Sequence, residues 1–191
     1  DRAESYRFGG RLGSSPFFET RMVRGMSEKR VLVIGYGNPG RLDDGIGPIF
    51  AEKLEALKLP NVTVDSDYQL NVEDASDIAK HDIVVFADAA LAGSEPFFFA
   101  QLTPQPALGF SSHSVEPEVL LHMAREMFGS KTLGYALGIR GYEFNEFGES
   151  LSDKAQKNIE AAFDFLVKTV KSGKFEEHGT PPPPVKSDEA D

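Results

Sequence analysis

The chain contains no cysteine, which excludes disulfides, thiolate metal sites and a cysteine nucleophile. That absence suits a reducing cytoplasm, the predicted location. Long hydrophobic runs are also missing, since no stretch approaches the roughly 18 apolar residues that a membrane span requires. The first residues mix acids with arginines and lack the apolar centre of a secretory signal. Positive charge is scarce: 20 Lys and Arg stand against 30 Asp and Glu, a formal net charge of -10. Binding to DNA or RNA needs grouped cations, and none are grouped here. Two common hydrolase signatures, His-Glu-x-x-His and Gly-x-Ser-x-Gly, do not occur. What remains is an ordinary globular composition of 191 residues, 40% hydrophobic and 26% charged, enough for one domain with an ample core.

The most informative stretch is Gly35-Tyr-Gly-Asn-Pro-Gly-Arg-Leu-Asp-Asp-Gly-Ile-Gly47. It follows the apolar run Arg30 to Ile34, which reads as a buried strand of a parallel sheet. It precedes Ile46, Ile49, Phe50, Leu54 and Leu57, which recur at helical spacing. Asp43 and Asp44 therefore stand at or just before a helix N-terminus, whose partial positive charge favours ionised carboxylates. Three readings are open. The two aspartates can be helix caps. Gly35-x-Gly37-x-x-Gly40 can be a dinucleotide fingerprint, with Asp65 or Asp67 on a ribose hydroxyl. That match is weak, because Arg-Leu-Asp-Asp separates the third glycine from the helix and two carboxylates repel phosphate. The third reading is a metal-binding or catalytic carboxylate.

Strands and helices alternate along the rest of the chain. Strands are predicted at residues 61–67, 83–86, 97–102 and 133–139, with 97–102 at a sheet edge. Helices are predicted near residues 72–80, from the Ser114 cap and Pro117 to Phe128, and at 152–170. This pattern predicts an α/β three-layer sandwich: a mostly parallel central sheet of about five strands with helices on both faces. The domain is assigned to residues 26–172. Residues 1–25, without periodicity and followed by Met26, are expected to be a disordered or non-native extension. Residues 173–191, with Pro181 to Pro184 and an acidic end, are expected to form a disordered tail.

Ligands of such sheets bind at the carboxyl ends of the strands. Asp88, closing the strand 83–86, falls at the same edge as Asp44. His113 stands immediately before a helix. His122 is nine residues further, about half a turn out of phase, so one helix cannot aim both rings at one point. His81 and His178 read as solvated. Asp44, Asp88 and His113 thus form a candidate site of two carboxylates and one imidazole, a donor set that suits nickel or zinc without choosing between them.

The run G-x-G-N-x-x-x-x-D-D-G-x-G resembles the opening motif of the hydrogenase maturation proteases, which trim the C-terminal extension of the large subunit of [NiFe] hydrogenases. The resemblance extends from about Arg30 to Val170. It takes in Tyr68-Gln-Leu-Asn, the run Val84 to Ala90, Ser112-His113-Ser, and Gly138-Ile-Arg-Gly-Tyr-Glu-Phe. It implies that Asp44, Asp88 and His113 are the metal-site residues, acting either in cleavage or in recognition of the metal, and that Asp43 supports them, caps the helix or exchanges roles with Asp44. Some family members carry Glu at the position of Asp44. The implied cofactor is nickel, supplied by the hydrogenase large-subunit precursor, which is the implied partner. Two other classes stay open: a nucleotide-binding oxidoreductase, and a nickel chaperone that releases no peptide.

Overall fold

The computed structural model describes residues 28–107 and 115–179. The predicted extension at 1–25, His113 and the Ser114 cap, and residues 180–191 lie outside the described residues. Strand β1, Val31–Tyr36, is almost wholly buried and lies between two parallel neighbours, β2 (Val62–Asp67) and β3 (Ile83–Ala90). Strand β5 (Leu133–Arg140) continues the parallel sheet on the far side of β3, and β4 (Phe97–Gln101) runs antiparallel to it. The order is β2-β1-β3-β5-β4, so β4 is an edge strand, as its sequence predicts.

Side chains alternate between the two faces of each strand. Val31 and Val33 of β1, with Ile83, Val85 and Ala87 of β3, join a core shared with helices α1 (Ile46–Glu55) and α4 (Asp153–Ser172). Leu32, Ile34, Val84 and Phe86 point the other way, onto α2 (Asp74–Ile78) and α3 (Pro117–Phe128). Helices therefore cover both faces of a mostly parallel sheet, the architecture predicted from the sequence.

Several local expectations change. Helix α1 stops at Glu55, and Leu57 lies outside it, half exposed. Glu116 occupies the residue before α3 and Pro117 its first turn, where a missing N–H costs nothing. Met127 and Phe128 fall at apolar helical spacing with Leu120 and Met123, yet they are exposed in the last turn of α3, just before the left-handed Gly129. Strand β3 runs to Ala90, so Asp88 stands within a strand and does not close one. His81 is hydrogen-bonded at both nitrogens, to the Asp77 carbonyl at 2.7 Å and to Thr63 Oγ1 at 3.0 Å. His178 is exposed but sets its ring edge-on to Phe165. The chain also stays packed beyond residue 172. Gly173, at φ 72°, turns it out of α4, and Phe175 returns to full burial 5.7 Å from the ring of Tyr135.

Candidate functional site

Two glycines let the loop after β1 close onto the sheet. Gly37 has φ 137°, and a Cβ there would fall 2.1 Å from the carbonyl oxygen of Asp44. A Cβ on Gly47 would meet the carbonyl oxygens of Tyr36 at 2.1 Å and Ala87 at 2.7 Å. The start of α1 therefore rests directly on the carboxyl ends of β1 and β3. Those two strands flank the point where the chain changes direction across the sheet, going from β1 out to β2 and then back past β1 to β3. Crevices in open α/β sheets form at such points. Asp44 is held at its mouth on the 3-10 turn Leu42–Gly45.

Neither aspartate caps a helix, as neither the 3-10 turn nor α1 has a side-chain cap bond. Asp43 is fully buried and does something else. Its carboxylate accepts from the backbone N–H of Tyr142 at 2.8 Å, Glu143 at 3.0 Å and Ser152 at 2.8 Å, and from Ser152 Oγ–H at 2.8 Å. Ser152 Oγ in turn accepts from Ala155 N–H and caps α4. Burial alone would raise the Asp43 pKa, but these four donors outweigh it and hold the carboxyl below its usual range. Asp43 therefore ties the loop after β5, and the start of α4, to the turn that carries Asp44.

Asp88 lies on the face of β3 shared with Val84 and Phe86, one step beyond the Gly35–Ala87 pair and across from Tyr36. One carboxylate oxygen accepts from the Ala89 N–H at 2.7 Å, and the Tyr36 hydroxyl is within hydrogen-bonding reach. Burial pushes the Asp88 carboxyl up to about 6. The negative charges of Asp44 and Glu116 add to the rise, while the Ala89 and Tyr36 hydrogen bonds partly offset it. Burial also drives the Tyr36 phenol far above its usual value, reinforced by Asp88, Glu116 and Glu118, so Tyr36 remains a hydrogen-bond donor. Among the described residues no ion pair neutralises Asp44, Asp88 or Glu116.

The structure thus brings Asp44 and Asp88 within range of each other's charge, while His113 lies outside the described residues. Among those residues no three His, Cys, Asp or Glu are gathered closely enough to hold a metal alone. Tyr36 and Glu116 were not singled out from the sequence. Tyr36 carries a readable signal, standing two residues after Ile34 on one face of β1. Glu116, in the residue before a helix three positions after His113, carries little. The glycine loop does not present a helix N-terminus to a phosphate. Gly37 and Gly47 serve close backbone packing, and the turn between Gly40 and α1 carries two carboxylates.

The chain is similar to HycI, a [NiFe] hydrogenase maturation protease from Thermococcus kodakarensis KOD1. The identity is 27% over 76% of this chain and 95% of that one, with a TM-score of 0.59. In fold and in sequence the chain resembles the [NiFe] hydrogenase maturation proteases. The maturation-protease fold is also shared with a hydrogenase 2 maturation peptidase from a Thaumarchaeota archaeon, at 22% identity over 75% and 99% of the two chains and a TM-score of 0.54. Escherichia coli HybD, a hydrogenase maturating endopeptidase, gives 18% identity over 76% and 94% and a TM-score of 0.54. No family model and no curated relative matches the sequence. Among the described residues no helix of this maturation-protease relative is long and apolar enough to cross a membrane.

Proposed function

We propose that this protein is an endopeptidase that removes the C-terminal extension of a [NiFe] hydrogenase large-subunit precursor after nickel has been inserted. The observation that carries the reading is the pair Asp44 and Asp88 at the crevice between β1 and β3, within range of each other's charge and in no ion pair among the described residues. Such a pair fits a cation delivered from outside better than a structural role, because repulsion between like charges costs stability until a cation arrives. The nickel belongs to the substrate. Asp44 and Asp88 offer hard oxygen donors to it, and His113, three residues before Glu116 in the sequence, adds the imidazole nitrogen. Once bound, the ion can polarise the scissile carbonyl or activate water. The chain's own residues orient that contact: the Tyr36 hydroxyl stands within reach of Asp88, and Gly37 and Gly47 let the turn that carries Asp44 and the start of α1 close onto the sheet.

The direct test incubates the purified protein with nickel-loaded and nickel-free precursor and follows the precursor C-terminus by mass spectrometry. Loss of the extension from the loaded form alone is expected. Binding without peptide release would mean an assembly chaperone. Cleavage of both forms alike would refute the nickel requirement.

A further inference from the structure

We propose that the loop 141–152 is the element with which this peptidase grips its substrate, and that Phe147 at the loop's tip determines specificity. Phe147 would take up an apolar side chain of the precursor segment beside the scissile bond, where that segment also carries basic residues. The inference rests on the peptidase reading and names the contact that reading leaves open.

A single exposed apolar residue is ordinary, and exposure alone would decide nothing. Phe147 is 91% exposed, however, on a loop held at both shoulders. Gly148, its neighbour, accepts from Leu42 N–H at 2.8 Å and donates to the Gly40 carbonyl at 3.0 Å. Arg41 donates through Nη2 to the Phe144 carbonyl at 3.2 Å, and Asp43 N–H donates to the Glu143 carbonyl at 3.0 Å. The buried Asp43 carboxylate closes the base of the loop through Tyr142, Glu143 and Ser152. The loop's other phenylalanine, Phe144, turns inward against Gly141. One ring therefore anchors the loop and the other faces solvent.

The place matters as much as the rigidity. The residues that hold Gly148 are Gly40 and Leu42, and Asp44 follows Leu42 by two positions, so Phe147 is fixed beside the crevice. A rigid aromatic that is already in position loses little freedom on contact, which is what makes such residues effective anchors. Charge identifies what flanks the apolar side chain of the occupant. Glu143, Glu146 and Glu149 are exposed on the same loop, and none is in an ion pair among the described residues. Together with Asp44 on the adjoining turn, they favour a segment bearing Lys or Arg and disfavour an acidic one.

The experiment uses the full chain and nickel-loaded precursor, and reads Kd for the complex, KM and kcat for C-terminal mass loss, and the unfolding temperature. Phe147→Ala should raise Kd and KM by roughly tenfold or more, with kcat at saturation and the unfolding temperature little changed. Phe147→Leu should recover much of the loss. Replacing Glu143, Glu146 and Glu149 together by Gln should raise KM and flatten its dependence on salt. Unchanged Kd and KM in Phe147→Ala, beside a wild type that binds and cuts, would overturn this inference and leave the peptidase reading standing. A fall confined to kcat would also overturn it. A wild type that neither binds nor cuts would overturn both.

Discussion

Two aspartates near the crevice are withdrawn from water, yet folding treats their charges in opposite ways. Asp43 has four donors and a lowered pKa, so its contribution to stability is present above the unfolded value of 3.8 and is lost as pH falls through the folded value. Replacing it by Ala would leave the part-buried N–H groups of Tyr142, Glu143 and Ser152 without their acceptor, at a cost of about 2–4 kcal/mol near neutral pH. Asp88 has a pKa raised from 3.8 to about 6, so its favourable contribution exists below 3.8 and is lost as pH rises through 6. In the metal-free protein Asp88→Asn should therefore increase stability at pH 8, by up to about 3 kcal/mol, and give no gain at pH 3.5. Urea unfolding at the two pH values checks both variants, and a gain for Asp88→Asn that ignores pH would contradict the assignment. The same charge that destabilises the fold is the one the proposed reaction needs. Asp44→Ala, Asp88→Ala and His113→Ala should each abolish or severely reduce processing while remaining folded, and His122→Ala should have little effect. Normal cleavage by the double variant Asp88→Ala/His113→Ala would remove these residues from the site.

Elements near the C-terminus carry more of the core than their composition suggests. The chain from Gly173 onward reads as a tail because Gly, Lys, Glu and Pro dominate it, and one phenylalanine makes no periodic pattern. Yet Phe175 is fully buried, completing an aromatic cluster in which Phe99 stacks on Tyr135 at 5.0 Å and Phe165 packs edge-on to Phe99. Phe175→Ala should cost about 3–5 kcal/mol, and ending the chain at Ser172 at least as much. An unfolding midpoint unchanged by either would mean that the residue adds nothing to the core. The strands and main helices were legible because each is specified within a few residues: β1 by a continuous apolar run, α4 by an apolar face and the Ser152 cap. Phe175 was not, since its partners Tyr135 and Phe99 lie far away in the sequence. Asp43 was obscured for the same reason. As one of two acids before a helix it looks like a cap, but its partners lie 99 to 109 residues away. The nearness of Asp44 to Asp88 could be read because it follows from topology alone. The approach of the Tyr36 hydroxyl to Asp88 required the register between β1 and β3.

At the scale of the whole molecule, the sheet order puts the loop after β1 and the end of β3 at one crevice, and the chain leading into α3 brings Glu116 to the same place. This arrangement collects negative charge from separate segments in a protein already at a net charge of -10. It does not build a closed cage. The donors proposed here are two hard carboxylates and one imidazole; there is no cysteine anywhere in the chain, and a nickel ion prefers more, and softer, ligands for tight retention. The ion should therefore arrive with the substrate and leave with it. Purified protein should contain far less than one nickel per chain by elemental analysis, and treatment with a soft chelator followed by its removal should leave activity on nickel-loaded precursor intact. Tight stoichiometric nickel that survives purification would contradict this, as would activity that returns after chelation only when nickel is restored to the peptidase itself. Either result would mean that the crevice holds its own metal and that the precursor's nickel is not what it senses.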